Sequence, residues 1–261
     1  MREPSRAGTL RSGAVRRGSR DGVPDLRPRP RPRSRPKGTD GVSGVRPYRD
    51  RAEAGRRLAD ALIAEVALVD PVVLGLPRGG VPVAAEVARR LGAPLDVLVA
   101  RKVGAPGHEE LGIGAVAEGG VRLADPSALR TLGVSEADFD RRADAEVAEL
   151  DRRVAAYRGD RALPRLTGRH VVLVDDGLAT GVTASAAIAA LERLGADRIV
   201  LAVPVGAPDA AAGFEALVER VVCPIRPAEF RAVGRWYDRF DQTSDAEVLA
   251  ALTPDDPDGT A

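Results

Sequence analysis

The stretch HVVLVDDGLATGVTASAAIAAL, His170 to Leu191, decides the fold. It opens on Val171, Val172, Leu173 and Val174, a continuous apolar run suited to a strand buried on both faces of a parallel sheet. Asp175 and Asp176 stop that strand. Gly177, Ala179, Thr180, Gly181, Val182 and Thr183 follow, mostly small or hydroxylated residues that leave the backbone open. The alanine- and leucine-rich run from Ala184 to Leu194 predicts a helix. A strand, a small-residue loop and a helix N-terminus make an anion site, because unpaired N–H groups converge there and the helix dipole favours negative charge.

The paired carboxylates narrow the ligand. No lysine completes the loop, so the GxxxxGK[ST] pattern of a nucleoside-triphosphate loop is absent. A dinucleotide fingerprint needs GxGxxG opening the helix, and Asp175-Asp176 would repel a pyrophosphate set directly on them. Two carboxylates before a phosphate cradle suit a sugar phosphate: their oxygens accept hydrogen bonds from ribose hydroxyls while the loop amides hold the 5′-phosphate. Taken without its surroundings, Asp-Asp-Gly is also an ordinary strand-ending turn. The whole run VVLVDDGLATGVT, Val171 to Thr183, resembles the ribose-phosphate signature of the type I phosphoribosyltransferases.

Outward toward the N-terminus, Val72, Val73, Leu74 and Leu76 form a short apolar strand that runs into Pro77-Arg78-Gly79-Gly80-Val81-Pro82. Val83 to Leu91 resumes helical periodicity. This second strand–loop–helix unit places an arginine and a glycine pair at a strand's C-terminal edge, where ligands of open parallel sheets collect. By itself Arg-Gly-Gly fits a plain turn equally well. Asp96 to Ala100 predicts a third strand, followed by Arg101-Lys102. The long stretch Val103 to Glu118, with Gly104, Gly107, Gly112 and Gly114, has the composition of a functional lid or an unstructured segment. Ile113 to Leu123 predicts a hairpin around Gly119-Gly120. Arg49 to Val66 and Ser135 to Tyr157 predict helices, the second opening on a capping box of Ser135 and Asp138.

Toward the C-terminus, Arg198 to Val205 and Val218 to Cys223 predict strands and Pro208 to Leu217 a helix. Cys223 lies in an apolar run, as a buried, inert thiol does. The segment after it concentrates Phe230, Trp236, Tyr237 and Phe240. Trp236 and Tyr237 either stack on a planar ligand ring, plug a small subdomain, or serve a dimer contact.

Composition bounds the rest. With 261 residues, 44% apolar and 3% aromatic, the chain can bury one sizeable core of Val, Leu and Ala. One cysteine excludes an internal disulfide and a cysteine-based zinc cluster, and fits a reducing compartment. No apolar run is long enough to cross a bilayer, so a cytoplasmic protein is expected. Net charge of +1 conceals a split: residues 1–47 hold 13 Lys and Arg against 4 Asp and Glu, the remainder 26 against 34. The Arg-, Pro- and Gly-rich leader, residues 1–47, cannot build a core and is expected to be a disordered tail. Its charge leaves nucleic-acid contact open, although no aromatic precedes Tyr48 as a stacking platform. The ordered domain is expected over residues 48–252, with 224–252 as a hood-like segment and 253–261 as a second tail.

The resemblance implies an α/β domain, a parallel sheet flanked by helices with a small C-terminal hood-like segment. It implies 5-phosphoribosyl 1-pyrophosphate as donor, Mg2+ as cofactor and a small-molecule nitrogen acceptor, with a homodimer as the expected assembly. In that frame Asp175 and Asp176 hold the ribose hydroxyls and reach the metal only through water or substrate, Ala179 to Thr183 grip the 5′-phosphate, and Gly177 joins the substrate-binding residues. Arg78, Gly79, Gly80, Arg101 and Lys102 meet the departing pyrophosphate, Lys102 from the base of the flexible catalytic loop. A branched side chain at Gly181 is expected to block phosphate while leaving the fold in place. A ligand-sensing regulator and a phosphoribosyl hydrolase remain as alternatives on the same fold, since sites rather than folds carry function.

Overall fold

The computed structural model describes residues 47–253. The leader up to residue 46 and the tail from residue 254 lie outside the described residues, and with them the expectations placed there.

Five strands form one parallel sheet: β1 (Val72–Gly75), β2 (Leu95–Val97), β6 (His170–Val174), β7 (Arg198–Ala202) and β8 (Arg220–Val222), in the order β2-β1-β6-β7-β8. All four pairings are parallel, with Val72 to Gly75 beside Val171 to Val174 in register. The continuous apolar run of β6 is explained by its two faces. Val171 and Leu173 pack with α5 (Val182–Arg193) and α6 (Pro208–Phe214), while Val172 and Val174 face α1 (Arg51–Glu65) and α2 (Gly80–Leu91). Each layer is apolar because each is covered.

The remaining strands, β3 (Ala100–Ala105), β4 (His108–Ala117) and β5 (Val121–Ala124), form a separate antiparallel sheet. Its apolar face, Val103, Ile113 and Val116, packs on Phe139, Ala143, Leu150 and Tyr157 of α4 (Glu136–Arg158). Ser135 caps α4 through the Asp138 amide at 3.1 Å, the cap its sequence announces. The short helix α3 (Pro126–Leu132) precedes it, started by Asp125 and Pro126; at seven residues it is too short for periodicity to announce.

Two expectations are corrected here. The strand predicted over Asp96 to Ala100 is two strands in two sheets. Leu98 makes the last bond to the parallel sheet through Gly75 O at 3.1 Å, and the Val99 amide turns to the Glu118 carboxylate at 2.7 Å. The glycine-rich stretch Val103 to Glu118 is also no irregular lid. It is most of the β3–β4 hairpin, and Gly104 and Gly112 face each other where the register slips. A Cβ on Gly104 would lie 2.5 Å from the Glu109 carbonyl, so the glycine serves a close backbone approach inside the hairpin. The hairpin predicted around Gly119-Gly120 is observed between β4 and β5.

The two sheets are tied by a buried cation. Arg158, on the last turn of α4, reaches Glu118 at 2.6 Å, the Val97 carbonyl at 2.6 Å and Asp96 at 3.4 Å. Its charge is therefore compensated where water cannot reach.

The C-terminal segment crosses the carboxyl edge of the parallel sheet. It runs from a 3-10 turn (Val233–Trp236) to α7 (Asp245–Leu252), which starts on a Ser244/Glu247 capping box. Tyr48 stitches it down: its amide donates to Trp236 O and its carbonyl accepts from the Asp238 amide, both at 2.7 Å. The Tyr48 and Tyr237 rings lie 5.6 Å apart within a small cluster completed by Ala54, Val205 and Ile225. Among the described residues, no helix is long and apolar enough to cross a membrane.

Candidate active site

Adjacent parallel strands β1 and β6 deliver their following loops side by side. The contact between those loops is too close for side chains. A Cβ added to Gly80 would lie 2.7 Å from the Val174 carbonyl and 2.9 Å from Asp175 Cα, and one added to Gly79 would overlap the Asp176 carboxylate. The glycine pair of Pro77-Arg78-Gly79-Gly80 is thus set by the two aspartates of the other loop. The Gly80 amide is used internally, donating to Leu76 O at 3.0 Å. Arg78 and Gly79 keep their amides unbonded among the described residues. The Pro77–Arg78 peptide is cis.

The loop after β6 is anchored at Leu178, whose amide donates to Val205 O at 2.9 Å and whose carbonyl accepts from Ala207 at 2.8 Å. Beyond that anchor no hydrogen bond engages the backbone N–H of Ala179, Thr180, Gly181, Val182 or Thr183 among the described residues. Ala179 and Thr180 are exposed. Gly181 enters the helix with φ of 78°, a left-handed value that favours glycine. Unpaired amides at the start of a twelve-residue helix are a ready cradle for a phosphate.

Asp175 and Asp176 stand between the cradle and the glycine pair. Burial holds the Asp175 carboxyl well above the usual carboxylate range, with the neighbouring Asp176 charge adding to it. Burial also raises Asp176, against the opposing pull of Arg51. Arg51, in the first turn of α1, donates from Nε to Asp176 Oδ2 at 2.9 Å and from Nη1 to the Asp241 carbonyl at 2.7 Å, and its guanidinium stacks on Phe240 at 4.0 Å. The Tyr237 hydroxyl donates to the Asp176 carbonyl at 2.6 Å. Tyr237 is therefore an internal plug; Trp236 is half-buried beside it.

Arg51, Arg78, Gly79, Asp176, Phe240, Gln242 and Thr243 line a cleft of about 350 Å³. Arg78 faces Asp245 of α7 at 3.8 Å, and the Tyr157 hydroxyl donates to that same carboxylate at 2.5 Å. Two adjacent carboxylates beside a phosphate cradle present the oxygen donors that Mg2+ takes, shared with substrate phosphates. The donor set fits that ion.

The structure thus gathers Arg78, Gly79, Gly80, Asp175, Asp176 and the Gly177–Thr183 loop. It does not bring Arg101 and Lys102 to them. Arg101 donates to Glu146 of α4 at 2.6 Å, and Lys102 donates to the Glu110 carbonyl at 2.8 Å across its own hairpin. The sequence does not single out Arg51, Phe240, Gln242, Thr243 and Asp245 as site residues, although Phe240 belongs to the aromatic cluster, and Gln242, Thr243 and Asp245 to the hood-like segment, that it marks. Arg51 leaves a local trace: a cation in the first turn of a helix opposes the dipole, a misfit of the kind functional sites carry.

Comparison with known proteins gives the family. A family model described as the phosphoribosyl transferase domain matches residues 47–234. Two Mycobacterium tuberculosis proteins, from strains CDC 1551 and H37Rv and each provisionally named a phosphoribosyl transferase, are 49% identical over 205 residues. The match takes in 78% of this chain and 46% of theirs, so the chain spans about half the length of these curated relatives. The crystal structure of TT1426 from Thermus thermophilus superposes with a TM-score of 0.67 at 46% identity, covering 80% of this chain and 98% of that one. The chain belongs to the phosphoribosyltransferase family.

Proposed function

We propose that this protein is a phosphoribosyltransferase that takes 5-phosphoribosyl 1-pyrophosphate and a nitrogen heterocycle, a nucleobase or related ring, and releases pyrophosphate. The observation that carries this reading is the contact of the two loops: unpaired amides at one end, two half-buried carboxylates in the middle, and at the other a turn in which Arg78 precedes two glycines with no room for a Cβ. That order matches the donor's own, with 5′-phosphate, ribose hydroxyls and pyrophosphate in line.

The amides from Ala179 to Thr183 hold the 5′-phosphate. Asp175 and Asp176 accept hydrogen bonds from the ribose hydroxyls, which fixes the sugar and leaves C1 toward the cleft. Arg78 and the Arg78 and Gly79 amides take the pyrophosphate oxygens. Mg2+, when bound with the donor, neutralises pyrophosphate charge. The bond from C1 to the pyrophosphate oxygen breaks with its electron pair on the leaving group, a bond from C1 to the acceptor nitrogen forms, and the acceptor N–H proton is released. Positive charge develops on the sugar, so positioning and neutralisation of the leaving group supply most of the acceleration. Phe240 offers the acceptor ring an apolar wall, and the Gln242 amide one donor and one acceptor at its edge. Lys102 reaches the leaving group when the hairpin closes on the donor.

The test is pyrophosphate release with Mg2+ across purines, pyrimidines and other nitrogen heterocycles, beside calorimetry with the donor. Acceptor-dependent release supports the reading. Release with water alone assigns a hydrolase, and donor binding without release from any acceptor assigns a sensor.

A further inference from the structure

Outside the catalytic cleft, a second recess of about 320 Å³ lies on the C-terminal segment, lined by Glu229, Arg231, Arg235 and Trp236. It shares no residue with the cleft lined by Arg51 and Arg78. Four arginines punctuate this part of the chain. Arg226 is paired with Glu215 at 2.9 Å and Arg239 with Asp50 at 2.6 Å. Arg231 and Arg235, the two that line the recess, are exposed and make no ion pair among the described residues. The recess's own carboxylate, Glu229, pairs with neither, so both guanidiniums are open to an anion.

The other two lining residues specify more than an anion. Trp236 is half-buried, its side chain packed against the Tyr48–Tyr237 cluster, so that packing holds its indole where it lines the recess. Glu229 adds an exposed acceptor for an amino or ring N–H group. An aromatic face, a carboxylate for a base edge and two guanidinium forks for phosphate oxygens are the three chemistries of one ligand class. The volume is at the lower end for small-molecule sites, that of a mononucleotide rather than a dinucleotide.

We propose that this recess is a nucleoside monophosphate site, separate from the catalytic cleft: Trp236 stacks on the base, Glu229 accepts from its amino edge, and Arg231 and Arg235 bind the phosphate. Its position gives it a consequence. The inner side of the same 3-10 turn carries Val233, which closes on Gly177 so tightly that a Cβ there would overlap it. The next residue after the turn, Tyr237, bonds the Asp176 carbonyl at 2.6 Å. A ligand that shifts or stiffens the turn therefore acts on the Asp175–Asp176–Gly177 corner. Nucleoside monophosphates are the product class of the proposed transfer, so the site reports product to the donor loop.

Trp236 is the sole tryptophan of the chain, and its fluorescence reads the recess directly. The full-length protein is titrated with adenosine and guanosine 5′-monophosphates, with adenosine, and with inorganic phosphate. Expected are a saturable change in Trp236 emission with at least one monophosphate and at least tenfold weaker responses to adenosine and to phosphate. The Arg231→Gln/Arg235→Gln double variant, its melt checked against wild type, is expected to weaken the monophosphate at least tenfold. The Asp176→Asn variant is expected to keep the wild-type response. No saturable change up to millimolar nucleotide overturns the proposal. So does a response lost in Asp176→Asn and kept in the double variant, which puts the nucleotide in the catalytic cleft. None of these readings requires turnover, so the result stands whichever way the transferase assay falls.

Discussion

Along the carboxyl edge of the parallel sheet, the loops after β1 and β6 touch so closely that Gly79 and Gly80 have no room for a Cβ. The hairpin of the antiparallel sheet ends instead in an exposed tip, Pro106 to Leu111, where Glu110 meets Lys102 of the same hairpin at 3.7 Å. The first region is fixed by packing and exists before any ligand arrives. The second is fixed at its base by Phe139, Ala143 and the Arg158 cluster and is open at its end. The proposed donor, with a rigid sugar and a long pyrophosphate, would use both: one element that positions and one that closes after binding.

The strongest way to break this comparison is at the rigid edge. In the proposed reaction Asp176→Ala would remove the carboxylate assigned to ribose, and it leaves Arg51 without its carboxylate partner. Donor affinity by calorimetry is expected to fall by about three orders of magnitude, ~4 kcal/mol. Gly79→Ala pushes a methyl onto the same carboxylate and is expected to act in the same direction. Near-wild-type affinity in both variants would move the ribose elsewhere.

Next comes the open element. Lys102→Ala is expected to reduce turnover about a hundredfold, ~3 kcal/mol, while donor affinity changes less than threefold. A lysine that acts on the leaving group in the transition state gives this split. Equal losses in turnover and donor affinity would make it a ground-state contact, and no loss would remove it from the site.

The same contrast explains what the sequence could and could not say. The continuous run Val171 to Val174 is legible because a strand covered on both faces has no polar side to alternate with. Gly79-Gly80 and the Asp175–Thr183 loop are legible because a few adjacent residues carry their whole chemistry. Arg51 comes from one end of the domain and Phe240 and Asp245 from the other, and the backbone bonds that Tyr48 and Arg49 make to the segment Trp236 to Arg239 bring Arg51 and Phe240 together. Glycines in the hairpin resemble those of a loop because a bulged register and a flexible lid both need them. The expectation that a branched residue at Gly181 spares the fold also needs correction. Its Cβ would lie 2.7 Å from the Phe214 ring, so valine there disturbs the α5–α6 core as well as the cradle.

A smaller effect tests the cost of the rigid edge. Asp175 and Asp176 have their pKa values raised by burial, Asp175 further by its neighbour. A carboxylate whose folded pKa exceeds its unfolded one destabilises the fold wherever it is ionised. That penalty is complete above the folded pKa and is relieved as pH falls through it toward the ordinary carboxylate range. Asp175→Asn keeps an oxygen for the Asp176 amide, now 2.8 Å away, and removes the charge. It is expected to stabilise the protein at neutral pH by about 1 kcal/mol, or about 2–4 °C in midpoint, while weakening the donor. Melts at descending pH should show the advantage shrink. A variant that is less stable at neutral pH would mean the carboxylate is stabilised by partners stronger than its burial.

The smallest expected effect lies one residue from the lysine. Arg101 and Lys102 are neighbours on β3, and successive strand residues point to opposite faces. Arg101 takes the face toward α4, where Glu146 at 2.6 Å and Glu149 at 3.9 Å hold its guanidinium. Lys102 takes the other face and is more exposed, tied by one backbone carbonyl and by Glu110, whose side chain is fully exposed. Arg101→Gln is therefore expected to change turnover and donor affinity by less than threefold, and to lower stability by about 0.5–1 kcal/mol, the scale of a partly exposed ion pair. Glu146→Gln should lower stability by a similar amount, and the double variant by less than the two losses added, because the pair is shared. A hundredfold loss of turnover in Arg101→Gln alone, with stability unchanged, would show that the arginine leaves α4 when the donor binds. The hairpin would then close by rotating its base as well as its tip, and the division between a fixed edge and an open end would hold only for the free protein.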